Sequence, residues 1–265
     1  MAFPAPQQSW SWQLRIARAN HLARATTGTS QLLTQYGAIL TAQRTCYDRL
    51  RAERLTGSLE RDLTTLQPAA AELFTAISSV VPAQAIQDLP TDVSGLEALL
   101  RISWRLADAP FLARVVLQPY AEALRAAAGS NDSAVHRDLE TLPGQAVCPF
   151  CGGPPQVGVL HTDGGADGGG RALVCAMCST NWPVRRILCA HCGEEDERRL
   201  GYFHAADVDH VRIDACETCR RYLKTVDLTR LGVAVPIVDE VASGALDIWA
   251  QARGYTKVTS NLIGL

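Results

Sequence analysis

Cys148-Pro-Phe-Cys151, Cys175-Ala-Met-Cys178, Cys189-Ala-His-Cys192 and Cys216-Glu-Thr-Cys219 are four cysteine pairs that decide how this chain folds. They hold eight of its nine cysteines. Adding 41 to the position of each cysteine in the first two pairs gives the position of a cysteine in the last two. This pattern indicates an internal duplication. Some neighbours repeat with the same period: Gly152 matches Gly193, Arg171 matches Arg212, and Val159 matches Leu200.

Each C-x-x-C pair is typical of a metal-binding turn, or knuckle. Two thiolates in such a turn can hold one face of a tetrahedral ion, and a second pair completes a four-sulfur site. Gly152 and Gly193 follow one pair in each copy and can adopt positive φ, whereas Ser179 and Arg220 follow the other pairs. Only one turn per copy therefore has the full signature. The period predicts two closed sites, one formed by Cys148, Cys151, Cys175 and Cys178, and the other by Cys189, Cys192, Cys216 and Cys219.

Disulfides, a redox dithiol and histidine ligands are the alternatives to this interpretation. Paired spacing in a chain without an export signal favours metal over disulfides. Four pairs in strict register are more than one redox site needs. His161, His191 and His204 lie near the cysteines, but each copy already supplies four sulfurs, so we expect no histidine ligand. Cys46 stands alone in a helical stretch, where we expect a passive, half-buried thiol.

Composition is that of an ordinary globular protein. The 265 residues suggest about two domains, and a hydrophobic content of 47% is enough for a sizeable core. A formal net charge of −2 gives no general attraction to nucleic acid or anionic membranes. The N-terminus lacks a secretory pattern, and no apolar run approaches the ~20 residues of a spanning helix. We therefore expect a soluble cytoplasmic protein with no nucleic-acid partner and no membrane insertion.

The order of segments predicts an α+β protein with four parts. Residues 1–143 are expected to form a helical domain, because apolar residues recur at three- and four-residue steps. Residues 144–188 and 189–229 are expected to form two tandem rubredoxin-like or zinc-ribbon modules. Residues 230–265 are expected to supply a closing helix and tail. Prolines are expected to break helices or open them, at Pro68, Pro82, Pro90 and Pro110.

Each module is expected to run knuckle, strand, loop, strand, knuckle. The expected strands are 157–160, 172–174, 200–203 and 211–215. The glycine-rich stretch 163–170 is expected to be a flexible hairpin tip, because no Gly-Lys-Ser/Thr follows it. One face of the closing helix is expected to hold Ile237, Val241, Ala245, Ile248 and Trp249.

A family likeness rests on these motifs and on their order. The knuckles read Cys148-Pro-Phe-Cys-Gly152, Cys175-Ala-Met-Cys-Ser-Thr-Asn-Trp182, Cys189-Ala-His-Cys192 and Cys216-Glu-Thr-Cys-Arg-Arg-Tyr-Leu-Lys224. The tail carries Pro236-Ile-Val-Asp239, Ala245-Leu-Asp247 and Gly254-Tyr255. In these features the chain resembles the formate dehydrogenase accessory protein family, FdhE. The likeness is strong over residues 145–262 and rests on general layout in the helical half.

The resemblance implies a non-catalytic maturation factor. FdhE proteins are cytoplasmic and interact with the molybdenum-containing catalytic subunit of respiratory formate dehydrogenase before its twin-arginine export. The likeness also implies that the two rubredoxin-like modules hold two metal ions per chain. It suggests iron, although tetrahedral thiolate sites accept zinc as well. No catalytic residue and no other cofactor is expected.

Two other functions stay open at this level. A rubredoxin-like electron or sulfur carrier would use iron-bound thiolates. A zinc-ribbon nucleic-acid-binding protein would need a basic face with exposed aromatic residues, which the balanced charge disfavours. Enzymatic hydrolysis is disfavoured because a closed four-cysteine site leaves no coordination position for substrate. The sequence also offers no recognisable Ser/His/Asp set or nucleotide-binding loop.

Overall fold

The computed structural model describes residues 10–26, 28–90, 92–104, 106, 108–128, 146–162 and 170–264. Within these ranges the first half of the chain is helical, and no helix is both long and apolar enough to span a bilayer. The expected hairpin tip lies, apart from Gly170, outside the described residues. The helices are α1 (Trp12–Ala25), α2 (Ser30–Arg51), α3 (Leu59–Ser78), α4 (Val93–Trp104) and α5 (Phe111–Ala128).

Helix α2 is the centre of the helical half and packs against α1, α3 and α5. Four of the five residues in its predicted apolar stripe, Leu33, Tyr36, Leu40 and Leu50, are each no more than 2% exposed, and the fifth, Tyr47, is partly buried. Cys46 belongs to the same core at 3% exposure, and burial raises its pKa to about 12. This thiol is therefore passive, and it is more deeply buried than expected.

Pro68 does not break a helix, contrary to expectation, but lies inside α3. A proline there costs one backbone hydrogen bond and crowds the preceding turn. The apolar face around it offsets that cost, because Leu66, Ala69, Ala70 and Leu73 are each no more than 2% exposed. Burial of this face thus outweighs the local preference of the proline.

The described residues after Ala146 contain one mixed sheet of seven strands. Their order is β3-β2-β1-β6-β5-β4, with β7 also paired to β6. Neighbours are antiparallel except for the parallel pairs β1–β6 and β6–β7. The strands are β1 (Pro155–His161), β2 (Gly170–Cys175), β3 (Asn181–Val184), β4 (Leu200–His204), β5 (Val211–Cys216), β6 (Arg221–Asp227) and β7 (Thr256–Lys257).

The parallel pair β1–β6 joins the two duplicated copies into this single sheet. Gly158 lies opposite Thr225 in that pair. A Cβ atom at position 158 would lie 2.3 Å from Thr225 Oγ1, so only glycine permits this approach. The expected domain limits after residues 143, 188 and 229 stay a prediction.

The duplication holds in three dimensions with one shift in register. Ala172 of β2 and Ile213 of β5 stand 41 positions apart, and they pair with Val159 and Phe203, respectively. Val159 therefore corresponds to Phe203, and the expected match with Leu200 is wrong. A short 3-10 helix, Glu197–Arg199, precedes β4 and accounts for the added residues in the second copy.

The closing segment forms two short helices instead of the one expected. They are α6 (Pro236–Ala242) and α7 (Gly244–Gln251), and they meet at Ser243, whose hydroxyl donates to Glu240 O at 3.0 Å. The break rotates the second helix. As a result Ala245 and Ile248 are exposed, whereas Ile237 and Val241 are buried as expected.

Asp239 of α6 joins this segment to both other parts of the chain. Arg18 of α1 donates to its carboxylate from Nε at 3.0 Å, and His210 Nε2 lies 3.0 Å from Oδ1. All three side chains are largely buried. The contact therefore fixes the helical half against the sheet.

Candidate metal centres

The first cysteine cluster is closed and buried. Cys148 Sγ lies 3.5 Å from Cys178 Sγ, and Cys151 Sγ lies 3.4 Å from Cys175 Sγ. All four sulfurs lie within 4.8 Å of one another, and none of these residues is more than 2% exposed. The four side chains are thus brought together in the grouping that the 41-residue period predicts.

The second cluster repeats this geometry nearer to the surface. Cys189 Sγ lies 3.7 Å from Cys219 Sγ, and Cys192 Sγ lies 3.7 Å from Cys216 Sγ. Cys189 and Cys216 are buried, whereas Cys192 and Cys219 are partly exposed. The grouping is again the expected one, but this site has a solvent-facing side.

The sulfur–sulfur distances fit a shared metal ion. A disulfide would require about 2.05 Å, and all nine cysteines are free. Four thiolates at about 2.3 Å from one ion occupy the corners of a tetrahedron with edges of about 3.8 Å. The observed contacts of 3.4–3.7 Å are close to those edges. Among the described residues, only cysteines contribute to either group, so His161, His191 and His204 lie outside both.

The backbone of each knuckle supports the sulfurs. Met177 N–H donates to Cys175 Sγ at 3.3 Å, and His191 N–H donates to Cys189 Sγ at 3.4 Å. Four thiolates around a divalent ion carry about −2 in charge, and N–H···S bonds offset part of it.

All four knuckles end on a residue with positive φ, although only two of those residues are glycine. Gly152 and Gly193 have φ of 70° and 77°, and Ser179 and Arg220 have φ of 54° and 56°. The last two are the only non-glycine residues with positive φ in the part of the chain that the structure describes. The glycine signature therefore underestimates how alike the four turns are.

The two non-glycine residues use side chains that glycine lacks. Ser179 Oγ donates to Glu122 Oε1 at 2.7 Å, and Arg15 Nη1 donates to the same oxygen at 2.7 Å. Arg220 places its guanidinium 4.0 Å from the ring centroid of Tyr255. One knuckle of each copy is thereby tied to another part of the chain, the first to the helices and the second to the tail.

The sulfurs of the first site perturb one another strongly. Burial raises the pKa of Cys175 and of Cys178 well above the ordinary thiol value. Hydrogen bonds from its neighbours, led by Cys148, lower the pKa of Cys151. A bound divalent ion would stabilise all four groups as thiolates and release their protons. The donor set of four soft sulfurs fits iron or zinc and leaves no open position for a substrate.

Asp214 links the duplicated copies beside the metal centres. It accepts from Arg171 Nη2 at 3.0 Å, from Arg212 Nε at 2.7 Å and from Thr225 Oγ1 at 2.8 Å. The two arginines are the pair matched by the period. The sequence period predicted the match between the two arginines, but it did not predict that both contact the carboxylate of Asp214.

A buried cluster of charges holds the tail against β6, and sequence reasoning missed half of it. Lys224 Nζ lies 3.0 Å from Glu240 Oε1, and Lys257 Nζ lies 3.0 Å from Asp247 Oδ1. Tyr222 donates its hydroxyl to Asp247 at 2.8 Å. Burial raises the pKa of Glu240, but the two ammonium groups outweigh this and lower it to about 2. Glu240 and Lys257 carried no sequence signal, since neither belongs to a motif.

Comparison with known proteins identifies relatives of the cysteine-containing half. Two family models match, "FdhE, central domain" over residues 147–186 and "FdhE, C-terminal domain" over residues 187–263. A protein named "Protein FdhE homolog" from Aquifex aeolicus is 38% identical over 118 residues, which are 44% of this chain and 41% of that protein. A protein of the same name from Pseudomonas putida is 35% identical over 124 residues, 44% of this chain and 38% of the relative.

These alignments cover about two fifths of the length of the curated relatives. The crystal structure of the FdhE protein from Pseudomonas aeruginosa aligns with 98% of this chain and 97% of that one, with a TM-score of 0.72 at 22% identity. This likeness shows a shared fold that includes the helical half. Residues 147–263 therefore match the central and C-terminal domains of FdhE, and the chain shares the fold of the FdhE protein from Pseudomonas aeruginosa.

Proposed function

We propose that this chain is a non-catalytic accessory protein that binds the catalytic subunit of respiratory formate dehydrogenase in the cytoplasm and supports its maturation before export. The observation that carries the proposal is the match of residues 147–263 to the two FdhE domains, each of which contains metal-type cysteine pairs. Both clusters have four sulfur donors, which is the form of a structural site.

In this proposal the eight cysteines bind two ions, and the ions stabilise the surface that the client contacts. Short strands joined by tight turns bury too little apolar surface to fold alone, so metal binding supplies folding free energy. The first site then acts on the helices as well, because Ser179 of its second knuckle hydrogen-bonds Glu122 of α5.

A deletion strain tests this function. Formate dehydrogenase activity should fall while its catalytic polypeptide is still made, and the parent gene should restore the activity. A Cys148→Ser/Cys151→Ser variant should not restore it, whereas Cys46→Ala, which changes a cysteine outside both clusters, should. Normal activity in the deletion strain, in an organism with one copy of the gene, would refute the proposal.

Iron is the metal that we propose, and a rubredoxin-like carrier is the second candidate function. The partial exposure of Cys192 and Cys219 favours the second candidate, because electron exchange is faster near solvent. Ferric thiolate sites absorb visible light, and zinc sites do not. Protein purified without oxygen should become coloured when treated with ferricyanide. Colourless protein with zinc in both sites would rule out the iron assignment and the electron carrier together.

A further inference from the structure

Strand β4 lies at one end of the sheet with an open edge. Its inner side pairs with β5, and no strand among the described residues pairs with its outer side. Unpaired strand edges present rows of N–H and C=O groups that favour the addition of another strand. The opposite end of the sheet is formed by β3.

The internal duplication supplies an occupied copy of the β4 edge. Leu173 of β2 and Asp214 of β5 stand 41 positions apart, and they pair with Gly158 of β1 and Tyr202 of β4, respectively. Strand β4 is therefore the counterpart of β1. The edge of β1 that corresponds to the open edge of β4 is covered by β6 in parallel orientation. The same kind of edge thus pairs with a strand in the first copy, whereas in the second copy it pairs with none of the strands that the structure describes.

The β1 edge also shows which backbone groups of β4 point outward. Leu160 O accepts from Leu228 N–H, which follows β6, at 2.9 Å. Leu160 pairs with Arg171, and His204 pairs with the matching Arg212, so His204 is the counterpart of Leu160. Because backbone direction alternates along a strand, Leu200, Tyr202 and His204 direct their N–H and C=O groups away from β5.

The outer edge of β3 contains a proline, Pro183. Strand β3 of the first copy corresponds to β6 of the second, so Pro183 corresponds to Lys224. On the side of β6 that faces β7, Tyr222 O accepts a hydrogen bond from Val258 N–H at 2.9 Å. The backbone N–H and C=O of Lys224, two residues further along, point to the same side, which in β3 is the outer side. The nitrogen of Pro183 therefore points outward and has no hydrogen to donate. A proline at this position protects an edge strand from further pairing.

Apolar groups flank β4 on one face and an aromatic–cation pair flanks it on the other. Phe203 packs against Trp249 of α7 with 4.8 Å between ring centroids. Ile248, on the same helix, is 65% exposed. Tyr202 is 40% exposed, and the guanidinium of Arg212 lies 4.5 Å from its ring centroid. An added strand would find side-chain contacts on both faces, as strand-addition sites provide.

We propose that an extended segment of the client protein adds to β4 as a parallel strand, as β6 adds to β1. The sequence of β6 indicates the chemistry of that segment. It should have apolar or aromatic residues on both faces, like Tyr222, Leu223 and Val226, and no proline at positions whose nitrogens face β4. The identity of the client rests on the proposed function. The site itself rests on the duplication and on the open edge.

Proline at position 202 tests the site. Tyr202→Pro removes an outward N–H and leaves the pairing with β5 intact, whereas Tyr202→Ala removes the side chain and keeps the N–H. Asn181→Pro is the matched control, because it places a proline at an outward nitrogen of the opposite edge. We expect Tyr202→Pro to weaken binding of the purified catalytic subunit of formate dehydrogenase about tenfold or more, and Asn181→Pro to leave it unchanged. Tyr202→Ala should have the smaller effect of the two changes at that position. Two metal ions per chain and an unchanged unfolding temperature would show that each variant is folded.

Hydrogen exchange on the unmodified complex gives a second readout that needs no variant. Client binding should slow exchange at the amides of Tyr202 and His204 and leave the amides of β3 unchanged. If the parent binds the client but Tyr202→Pro binds equally well, or exchange in β4 is unchanged, the strand-addition proposal is overturned and the proposed function stands. If the parent protein does not bind the client at all, both proposals fail.

Discussion

Removing the charge of Glu240 should destabilise the protein more than any conservative change of a surface carboxylate. Glu240 is fully buried between Lys224 and Lys257, and their ammonium groups lower its pKa from 4.5 to about 2. Each pH unit of pKa difference is worth about 1.4 kcal/mol, so the ionised carboxylate contributes about 3 kcal/mol to folding. Loss of one partner from a buried ion pair typically costs about 3–5 kcal/mol. We therefore expect Glu240→Gln to lower the free energy of unfolding by about 3 kcal/mol at pH 7.

The stabilisation that ionised Glu240 provides should decrease as the pH falls. The folded pKa lies below the unfolded value, so the stabilisation is complete above about pH 4.5 and is lost as the pH falls towards 2. The difference between parent and Glu240→Gln should thus be constant from pH 7 to pH 5.5 and about half as large at pH 3. Loss of metal in acid affects both proteins, and comparing them at each pH removes that contribution.

Urea denaturation followed by circular dichroism measures the difference directly. Glu72→Gln is the matched control, because Glu72 pairs with Arg49 on the surface with its side chain 62% exposed. Such pairs contribute less than about 1 kcal/mol. A Glu240→Gln variant within about 1 kcal/mol of the parent at pH 7 would show that the buried cluster does not hold the tail in this way.

Three further changes probe the knuckles and the join between the copies. Cys148→Ser/Cys151→Ser should halve the metal content measured by elemental analysis and expose the first module to protease while the helices stay folded; resistance equal to the parent's would contradict this. Ser179→Ala should lower the free energy of unfolding, measured by urea denaturation, by about 2 kcal/mol, and Ser179→Gly by about 1 kcal/mol, because glycine relieves the strain of positive φ; the reverse order would contradict this explanation. Gly158→Ala should lower the free energy of unfolding by about 1–3 kcal/mol, and adding Thr225→Ala should recover part of that loss. No recovery would show that the side chains at positions 158 and 225 do not meet.

The cysteine grouping could be predicted because ligand spacing and the period are local properties of the sequence. In the first copy, 23 residues lie between Cys151 and Cys175, and a hairpin of that length returns to its start. The apolar stripe of α2 could be predicted for the same reason. By contrast, the parallel pairing of β1 with β6 joins residues more than 60 positions apart, and no periodicity encodes it.

The features missed by sequence depend on contacts between distant parts of the chain. Ser179 and Arg220 occupy the positive-φ position of their knuckles, and their side chains make contacts there, with Glu122 and Tyr255, that glycine could not make. Turn propensity alone favours glycine there. The break at Ser243 has a related cause, since periodicity extends through it and only the packing of α7 shows the rotation. Local preference predicts the elements, and tertiary contacts decide the exceptions.

The carboxylate of Asp214 has a consequence for how the tandem copies can change over time. Its counterpart in the first copy is Leu173, so one acid neutralises the matched arginines of both copies, and Arg171 is only 4% exposed. Loss of that acid from the second copy would leave Arg171 of the first copy buried without its counter-ion. The two repeats must therefore change together, and they are no longer interchangeable.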